Sequence, residues 1–482
     1  IRGPCNVQSI VTEAGEIVPF EINCRYSGTN SIRSQFGFED IRWGIEEWLL
    51  GQLPSGWTLS PGGAIRILMD IIYPGGILLE AFMGTWSNLV RNMDRNSMGG
   101  SVAPVDADTE KALLQQAVRE HFKNADVYET VAKAPLHDDS ANGYSYDQVS
   151  PLGLREKIEA SQAVISGWGS WMDAATADAV LKRFATFENR QISVIGPWSH
   201  GGGHHASPFL PATTPTTPSV PQQLQECLWL FDHFLKGNAN GAPTANILIY
   251  YTMGEEKWRT TTTWPPAGSR TQRWYFAEEN GLSSDKPQSD SGADEYRVDF
   301  EATTGISNRW HTQLGGGDVI YPDRAQADQK LLTYTSAPLP AAIEITGHPV
   351  VHISLRSTAS DGALFVYLES VTPDGKVTYL TEGQLRLLHR KISAPAPYLL
   401  DLPPHSFAAA DTASLVPGQT TEIALSLLPT SVRLEKGHRL RVAIAGHDKD
   451  TFARIPNTGT PVLTVQRNRT AASFIELPVI AR

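Results

Sequence analysis

Two loops near the middle of the chain carry side chains suited to acid–base chemistry. The first runs from Ser166 to Asp173, and the second runs from Ile195 to His205 and contains His200. Each loop follows a short apolar run typical of a buried strand, and ligands of open α/β sheets bind at the carboxyl ends of strands. An aspartate followed by a histidine is the second half of a Ser…Asp…His order. In that chemistry the imidazole takes the proton of the nucleophile, and the carboxylate fixes the imidazole tautomer.

The same side chains have plainer interpretations. Asp173 precedes a helical pattern that begins at Ala174, so its role could be that of a helix cap. His200 could be a loop histidine without a role. The cluster of His200, His204 and His205 could instead hold zinc, which would make the protein a zinc hydrolase. A glycine-rich loop without a nearby acidic partner is a poor support for a metal, so zinc is the weaker alternative.

The hydrophobic pattern predicts the elements that position the two loops. Apolar runs over Gln162–Ser166 and Gln191–Ile195 predict strands, and helical periodicity covers Ala174–Phe187 and Gln222–Leu235. Strands that alternate with helices of this length indicate a parallel sheet.

The flanking parts have different patterns. Residues 1 to about 75 are mixed, with a helical pattern over Phe38–Leu50, and residues 75–160 are helix-rich, with helical periodicity over Leu78–Met93 and Thr109–Asn124. From about residue 243, strand-like runs separated by Pro and Gly turns indicate an all-β sandwich or jelly roll. These runs are Asn246–Tyr251, Gln272–Phe276, Val350–Leu355, Leu364–Ser370, Val377–Tyr379, Thr421–Leu427 and Arg439–Ala445.

Composition excludes several classes of protein. The 482 residues carry a formal net charge of −11, which argues against a nucleic-acid groove or an anionic membrane surface. No apolar run reaches the roughly 18 residues of a membrane span. Three widely spaced cysteines exclude a disulfide scaffold and a CxxC metal site. No signal peptide is visible at Ile1, so a cytoplasmic location is slightly favoured.

Several motifs together resemble those of the CocE/NonD hydrolases, which include cocaine esterase, α-amino acid ester hydrolase and X-prolyl dipeptidyl-peptidase relatives. The resemblance covers about residues 70 to 470. The matching segments are Tyr73–Gly76, Gly167–Asp173, Gly196–Gly201, Phe231–Gly237, Gly254–Trp258, Trp264–Pro266, Tyr334–Leu339, Leu380–Gly383, Leu385–Arg386, Pro429–Ser431 and Lys436–Arg439.

The resemblance implies a fold of the α/β plus all-β class. It implies an α/β-hydrolase core over residues 1–75 and 160–240, an inserted helical cap over 76–159, and a C-terminal jelly-roll β-sandwich over 243–482. It also implies a serine hydrolase that cleaves a small ester or amide through an acyl-enzyme, without a cofactor. Asp173 is then the triad acid and His200 the triad base. A homodimer is an expectation by analogy alone.

The nucleophile region departs from the family pattern. The family carries Gly-x-Ser-Tyr-x-Gly at the nucleophile, and this chain lacks that motif. The nearest stretch contains Ser60, in the right chain order before the acid and the base, with Thr58 where the family has glycine. Pro61 follows Ser60 and has no N–H to donate to an oxyanion. Tyr26 resembles the tyrosine that completes the oxyanion hole of the family, or it is an ordinary loop tyrosine.

Three explanations of this region stay open. The sequence omits a stretch and the enzyme is conventional, or the core is truncated and Ser60 is a weak nucleophile, or the chain is a pseudo-hydrolase that binds ligands or acts as a scaffold. Trp168, Trp171 and Trp198 are candidates to line an acyl pocket, with core or interdomain packing as their alternative.

Overall fold

The computed structural model describes residues 6–11, 17–23, 74–80, 108–121, 132–141, 143–146, 150–311 and 317–480. The chain divides into two compact units. The first unit comprises residues 1–68, 83–135 and 139–150, and the second comprises 69–82, 136–138 and 151–482.

Within the described residues of the first unit, short elements predominate. Strands β1 (Asn6–Val11) and β2 (Ile17–Asn23) pair antiparallel, helix α1 covers Ala112–His121, and β3 (Ser140–Ala141) pairs with β4 (Tyr144–Ser145). The Asp108 carboxylate accepts the Leu113 and Leu114 amides at 3.1 and 2.9 Å, as expected at a helix start. The helix predicted over Thr109–Asn124 is therefore confirmed for residues 112–121.

The second unit begins with alternating strands and helices. Its elements are α2 (Arg155–Ala160), β5 (Ile165–Ser170), α3 (Thr176–Thr186), β6 (Gln191–Gly196), α4 (Val220–Phe234), β7 (Ile247–Thr252) and β8 (Lys257–Thr261). The strands form one sheet in the order β5–β6–β7–β8, parallel up to β7 and antiparallel for β8. The parallel sheet and its two helices are as the hydrophobic pattern predicts, but the bounds of the first strand are not. Strand β5 covers Ile165–Ser170 and not Gln162–Ser166, so most of the loop predicted from Ser166 is strand. Its glycines are typical of loops, which hid the strand from a reading of the pattern.

Helix α3 covers the sheet with a single apolar face. Ala177, Val180, Leu181 and Phe184 are all buried, at the i, i+3, i+4 and i+7 positions. Strand β6 is buried along its whole length, its polar residues Gln191 and Ser193 included, as expected for an inner strand of a parallel sheet. Asp173 and His200 both lie just beyond the carboxyl ends of strands of this sheet, β5 and β6.

The rest of the second unit is β-rich. A 13-stranded sheet, counted over the described residues, has the path β11–β20–β14–β21–β9–β10–β12–β19–β15–β16, with β13, β17 and β18 paired beside it. Its strands are β9 (Ser269–Ala277), β10 (Gly281–Ser283), β11 (Ala293–Arg297), β12 (Leu332–Ser336), β13 (Ile343–Gly347), β14 (Val350–Ser357), β15 (Ala363–Val371), β16 (Val377–Arg386), β17 (Thr420–Ser426), β18 (Thr430–Leu434), β19 (Arg439–Ala445), β20 (Val462–Gln466) and β21 (Phe474–Ile480).

The two sheets of this unit join at the end of β7. Met253 forms a bridge to Val432 of β18, its amide donates to the Ser431 carbonyl at 2.9 Å, and the Arg433 amide donates to the Met253 carbonyl at 2.8 Å. The hydroxyls of Thr252 and Ser431 are 2.9 Å apart in the buried interior. The change in composition near residue 243 therefore does not coincide with the change of sheet, because β7 and β8 still pair with the parallel sheet.

Other expectations are not decided by the described residues. The pattern over Phe38–Leu50 and most of the pattern over Leu78–Met93 lie outside them. The helical cap, the jelly-roll path and the predicted domain boundaries remain predictions. Within the described ranges, none of the helices has the length and apolarity of a membrane span.

Candidate active site

Asp173 lies just beyond the carboxyl end of β5, in the turn that leads into α3. Its side chain is 9% exposed, and its backbone carbonyl accepts the Thr176 amide at 3.0 Å and the Thr176 hydroxyl at 2.9 Å. Helix α3 begins at Thr176, with Ala175 as the N-cap residue and without a side-chain cap bond. The interpretation of Asp173 as a helix cap is therefore wrong.

His200 lies beyond the carboxyl end of β6, at the start of a short 3-10 turn, His200–Gly202. Its Nδ1 atom is 3.2 Å from each of the two Asp173 carboxylate oxygens. A carboxylate only accepts hydrogen bonds, so Nδ1 carries the proton and Nε2 of the neutral ring has a free lone pair. Within the described part of the chain Nε2 has no hydrogen-bond partner, and the side chain is 49% exposed. The arrangement leaves Nε2 accessible for proton transfer.

The electrostatics of the pair suit this role. The hydrogen bond to Asp173 raises the pKa of His200 above its ordinary value of 6.5, and partial burial opposes this effect without cancelling it. A histidine can accept a proton and return it within one reaction, and the raised pKa makes the protonated form of this one easier to reach.

The backbone after His200 depends on glycine. Gly201 and Gly202 have φ values of +80° and +71°, in the left-handed region that other residues rarely adopt. A Cβ atom on Gly202 would lie 2.5 Å from the Gln223 side-chain oxygen. Gln223 of α4 donates to the Gly202 carbonyl at 3.1 Å, and the Ser199 amide donates to the His204 carbonyl at 3.0 Å. The loop is thus held at both ends.

Ser170, at the end of β5, ties the two loops to each other. Its buried hydroxyl oxygen accepts the Trp198 amide at 2.9 Å and the Met172 amide at 3.2 Å, and the hydroxyl donates to the Trp198 carbonyl. Trp198 lies two residues before His200, and Met172 directly precedes Asp173. The hydroxyl therefore links the Asp173 loop to the His200 loop.

We expect Ser170→Ala to lower the free energy of unfolding by about 1–3 kcal/mol, because it leaves buried amides without an acceptor. Urea denaturation measures this change. The matched control is Ser193→Ala on β6, because the Ser193 hydroxyl is equally buried and has no partner among the described residues. Equal stability of the two variants would contradict the role assigned to Ser170.

The three candidate pocket tryptophans are mostly packed inside the protein. Trp171 is 1% exposed, donates to the Tyr251 carbonyl at 2.7 Å and stacks on Trp264 at 6.0 Å. Trp198 is 3% exposed and stacks on the partly buried Trp168 at 5.8 Å. This burial favours the packing interpretation for Trp171 and Trp198.

The histidines of the zinc alternative face different partners. His200 contacts Asp173, His204 Nδ1 lies 2.6 Å from an Asp318 carboxylate oxygen, and the buried His205 ring packs edge-on against Tyr251 at 6.3 Å. Across the described ranges no group of three or more His, Cys, Asp or Glu side chains is arranged to hold a metal ion. Zinc ligation at this loop therefore gains no support from the geometry.

Two predicted site residues, Ser60 and Tyr26, lie outside the described residues. Conversely, sequence patterns did not single out Ser170 or Arg309. Arg309 donates to the Ala174 carbonyl from 135 positions away along the chain. No local periodicity signals such a contact. Ser170 lay in the loop predicted after Gln162–Ser166, and only the structure shows that it ends β5.

Comparison with known proteins agrees with this architecture. Residues 240–476 match the family model described as the X-Pro dipeptidyl-peptidase C-terminal non-catalytic domain. The fold is similar to that of a CocE/NonD family hydrolase from Staphylococcus aureus, with a TM-score of 0.58 and 13% identity over 85% of this chain and 64% of that chain.

Two curated relatives align over most of the chain. A Mycobacterium bovis protein named "Putative serine esterase" is 38% identical over 467 residues, which are 90% of this chain and 73% of the relative. The cocaine esterase of Rhodococcus sp. is 24% identical over 460 residues, which are 85% of this chain and 73% of the relative. These likenesses identify a hydrolase. The chain belongs to the CocE/NonD hydrolase family.

Proposed function

We propose that the chain cleaves a small ester or amide through an acyl-enzyme, with His200 as general base and acid and Asp173 as the residue that orients it. The observation that carries the proposal is the contact of His200 Nδ1 with both Asp173 oxygens, which leaves Nε2 open on an exposed face. The relatives named for esterase and dipeptidyl-peptidase activity support an ester or amide as the substrate.

In the proposed reaction, Nε2 of His200 takes the proton of a serine hydroxyl while the serine oxygen attacks the substrate carbonyl. The protonated imidazole then gives that proton to the leaving alcohol or amine, and the acyl group stays on the serine. A water molecule, deprotonated by the same Nε2, attacks the acyl group and restores the serine. Asp173 holds the Nδ1 proton and stabilises the imidazolium in both halves of the cycle.

Ser60 is the nucleophile that the sequence offers, and Tyr26 is the candidate oxyanion donor. The proposal includes the α/β-hydrolase core, the helical cap and the C-terminal jelly roll that the family resemblance implies. It also includes a small-molecule substrate and no cofactor.

The test is the intact mass of the folded protein before and after treatment with a fluorophosphonate. We expect one phosphonyl adduct on the 52.7 kDa chain, located by peptide mapping at Ser60 and absent in Ser60→Ala. An adduct on another serine would overturn the assignment of Ser60 and keep the serine-hydrolase mechanism. A folded chain without any adduct would overturn the mechanism and favour a ligand-binding pseudo-hydrolase.

A further inference from the structure

The residue after the acid, Ala174, has an unusual backbone. Its φ angle is +37°, which is uncommon for any residue other than glycine. Backbone conformations of this kind cost of order 1–3 kcal/mol and persist where the surroundings hold them. The turn that carries Asp173 therefore needs an external restraint.

Arg309 supplies that restraint through both polar groups of Ala174. The Ala174 amide donates to the Arg309 carbonyl at 2.9 Å. In return, the Arg309 Nε and Nη2 atoms donate to the Ala174 carbonyl at 2.8 and 2.5 Å. Arg309 thus forms hydrogen bonds with both the amide and the carbonyl of Ala174, the residue that follows Asp173.

The Arg309 side chain is itself fully buried and fixed. Its Nη1 atom is 3.4 Å from the Tyr379 hydroxyl, and its amide donates to the Tyr321 hydroxyl at 3.1 Å. The two tyrosine rings stack at 3.8 Å, and the Tyr379 hydroxyl donates to Glu382 at 2.9 Å. Trp310 donates to the other Glu382 oxygen at 2.5 Å. These contacts compensate the burial of a guanidinium and make its position rigid.

We propose that Arg309 is a positioning residue for the triad acid: it fixes the turn at Ala174 and so holds the Asp173 carboxylate against His200. The inference rests on the proposed function for its effect on catalysis. The Asp173 carboxylate faces His200 at 3.2 Å through both oxygens, so a small rotation of the turn breaks this symmetric contact. A displacement of about 1 Å in a catalytic group lowers rates by up to about 100-fold.

The test variant is Arg309→Lys, which keeps the buried positive charge and loses the paired N–H donors. We expect kcat for an activated ester such as 4-nitrophenyl acetate to fall roughly 10- to 100-fold, with KM nearly unchanged. We also expect the pKa of His200 to fall, because the Asp173 hydrogen bond is what raises it. The other charged contact on the His200 loop joins His204 to Asp318 and includes neither Arg309 nor Ala174.

The matched control is Arg324→Lys. Arg324 is an equally buried arginine of the β-rich part, bound to Glu369 at 2.8 Å. We expect this control to lower the thermal midpoint without moving kcat or the pKa of His200. A milder second variant is Tyr379→Phe, which removes the hydroxyl that contacts the Arg309 side chain. We expect it to lower kcat and the pKa of His200 as Arg309→Lys does, but by smaller amounts.

The pKa of His200 is read by NMR titration with 13C-labelled histidine, and the signal is assigned by its loss in His200→Gln. This measurement needs no turnover, so it tests the positioning role even if the chain proves to be inactive. A His200 pKa unchanged in both Arg309→Lys and Tyr379→Phe, with lowered stability alone, would overturn the proposal.

Discussion

His200→Ala is expected to lower kcat/KM for ester hydrolysis by about 10⁴- to 10⁶-fold. Members of a catalytic triad act as a unit, so the loss of the base removes nearly all of the acceleration that the unit provides. Stability should change little, because the side chain is half exposed and its contact with the described residues is the one to Asp173. Initial rates with a chromogenic ester, alongside a thermal unfolding curve, measure both quantities.

His204→Ala is the matched control for this prediction. It lies on the same glycine-rich loop, is 46% exposed and is paired with Asp318. If His200 is catalytic and His204 is not, the rate of His204→Ala should lie within a few-fold of the wild-type rate. If both variants lost activity equally, the loop would matter through its folding or through a metal, and the assignment of His200 as the base would fail.

Asp173→Asn is expected to lower kcat by about 10⁴-fold while the fold stays intact. An asparagine side chain can donate to Nδ1, which places the imidazole proton on Nε2 and removes the lone pair that should act as the base. The pH profile should change as well. In the wild type, activity is lost as the pH falls through the pKa of His200, and the contact with Asp173 raises that pKa and moves the acid limb to higher pH. Without the carboxylate the limb should move to lower pH.

The control for this variant is Asp178→Asn on α3. Asp178 is a largely buried carboxylate that binds Lys182 at 2.8 Å and His348 at 2.9 Å, and these partners outweigh its burial and lower its pKa. Its replacement should reduce stability and leave the pH profile of turnover in place. An Asp173→Asn enzyme within tenfold of the wild-type rate would rule out Asp173 as the orienting acid.

Sequence alone could locate the two loops because strand pattern and residue order are local properties. Asp173 and His200 each follow a short run with apolar residues, Gln162–Ser166 and Gln191–Ile195, and the parallel sheet brings both residues to one edge. The contact between them follows from that topology and not from either motif. Ser60 and Tyr26 remain expectations from family resemblance.

What sequence could not provide is tertiary pairing over long separations. Strand β7 has the apolar character of the β-rich part, and only its register with β6 shows which sheet it joins. In the sequence, Arg309 does not differ from the other arginines. Only the folded structure shows that its side chain is buried and donates to the Ala174 carbonyl. The tryptophans are ambiguous for the same reason, since an aromatic side chain suits a pocket wall and a core equally well.

The strand β7 and its continuation at Met253 bear on how such proteins can be recombined. Strand β7 pairs with β6 in the parallel sheet, and Met253, directly after β7, forms a bridge to Val432 of β18. A chimera joined at the composition change near residue 243 would take β7 and β8 from one parent and the loops of Asp173 and His200 from the other. Exchange of substrate preference between relatives should therefore keep residues 165–261 in one piece and place the crossover after Thr261.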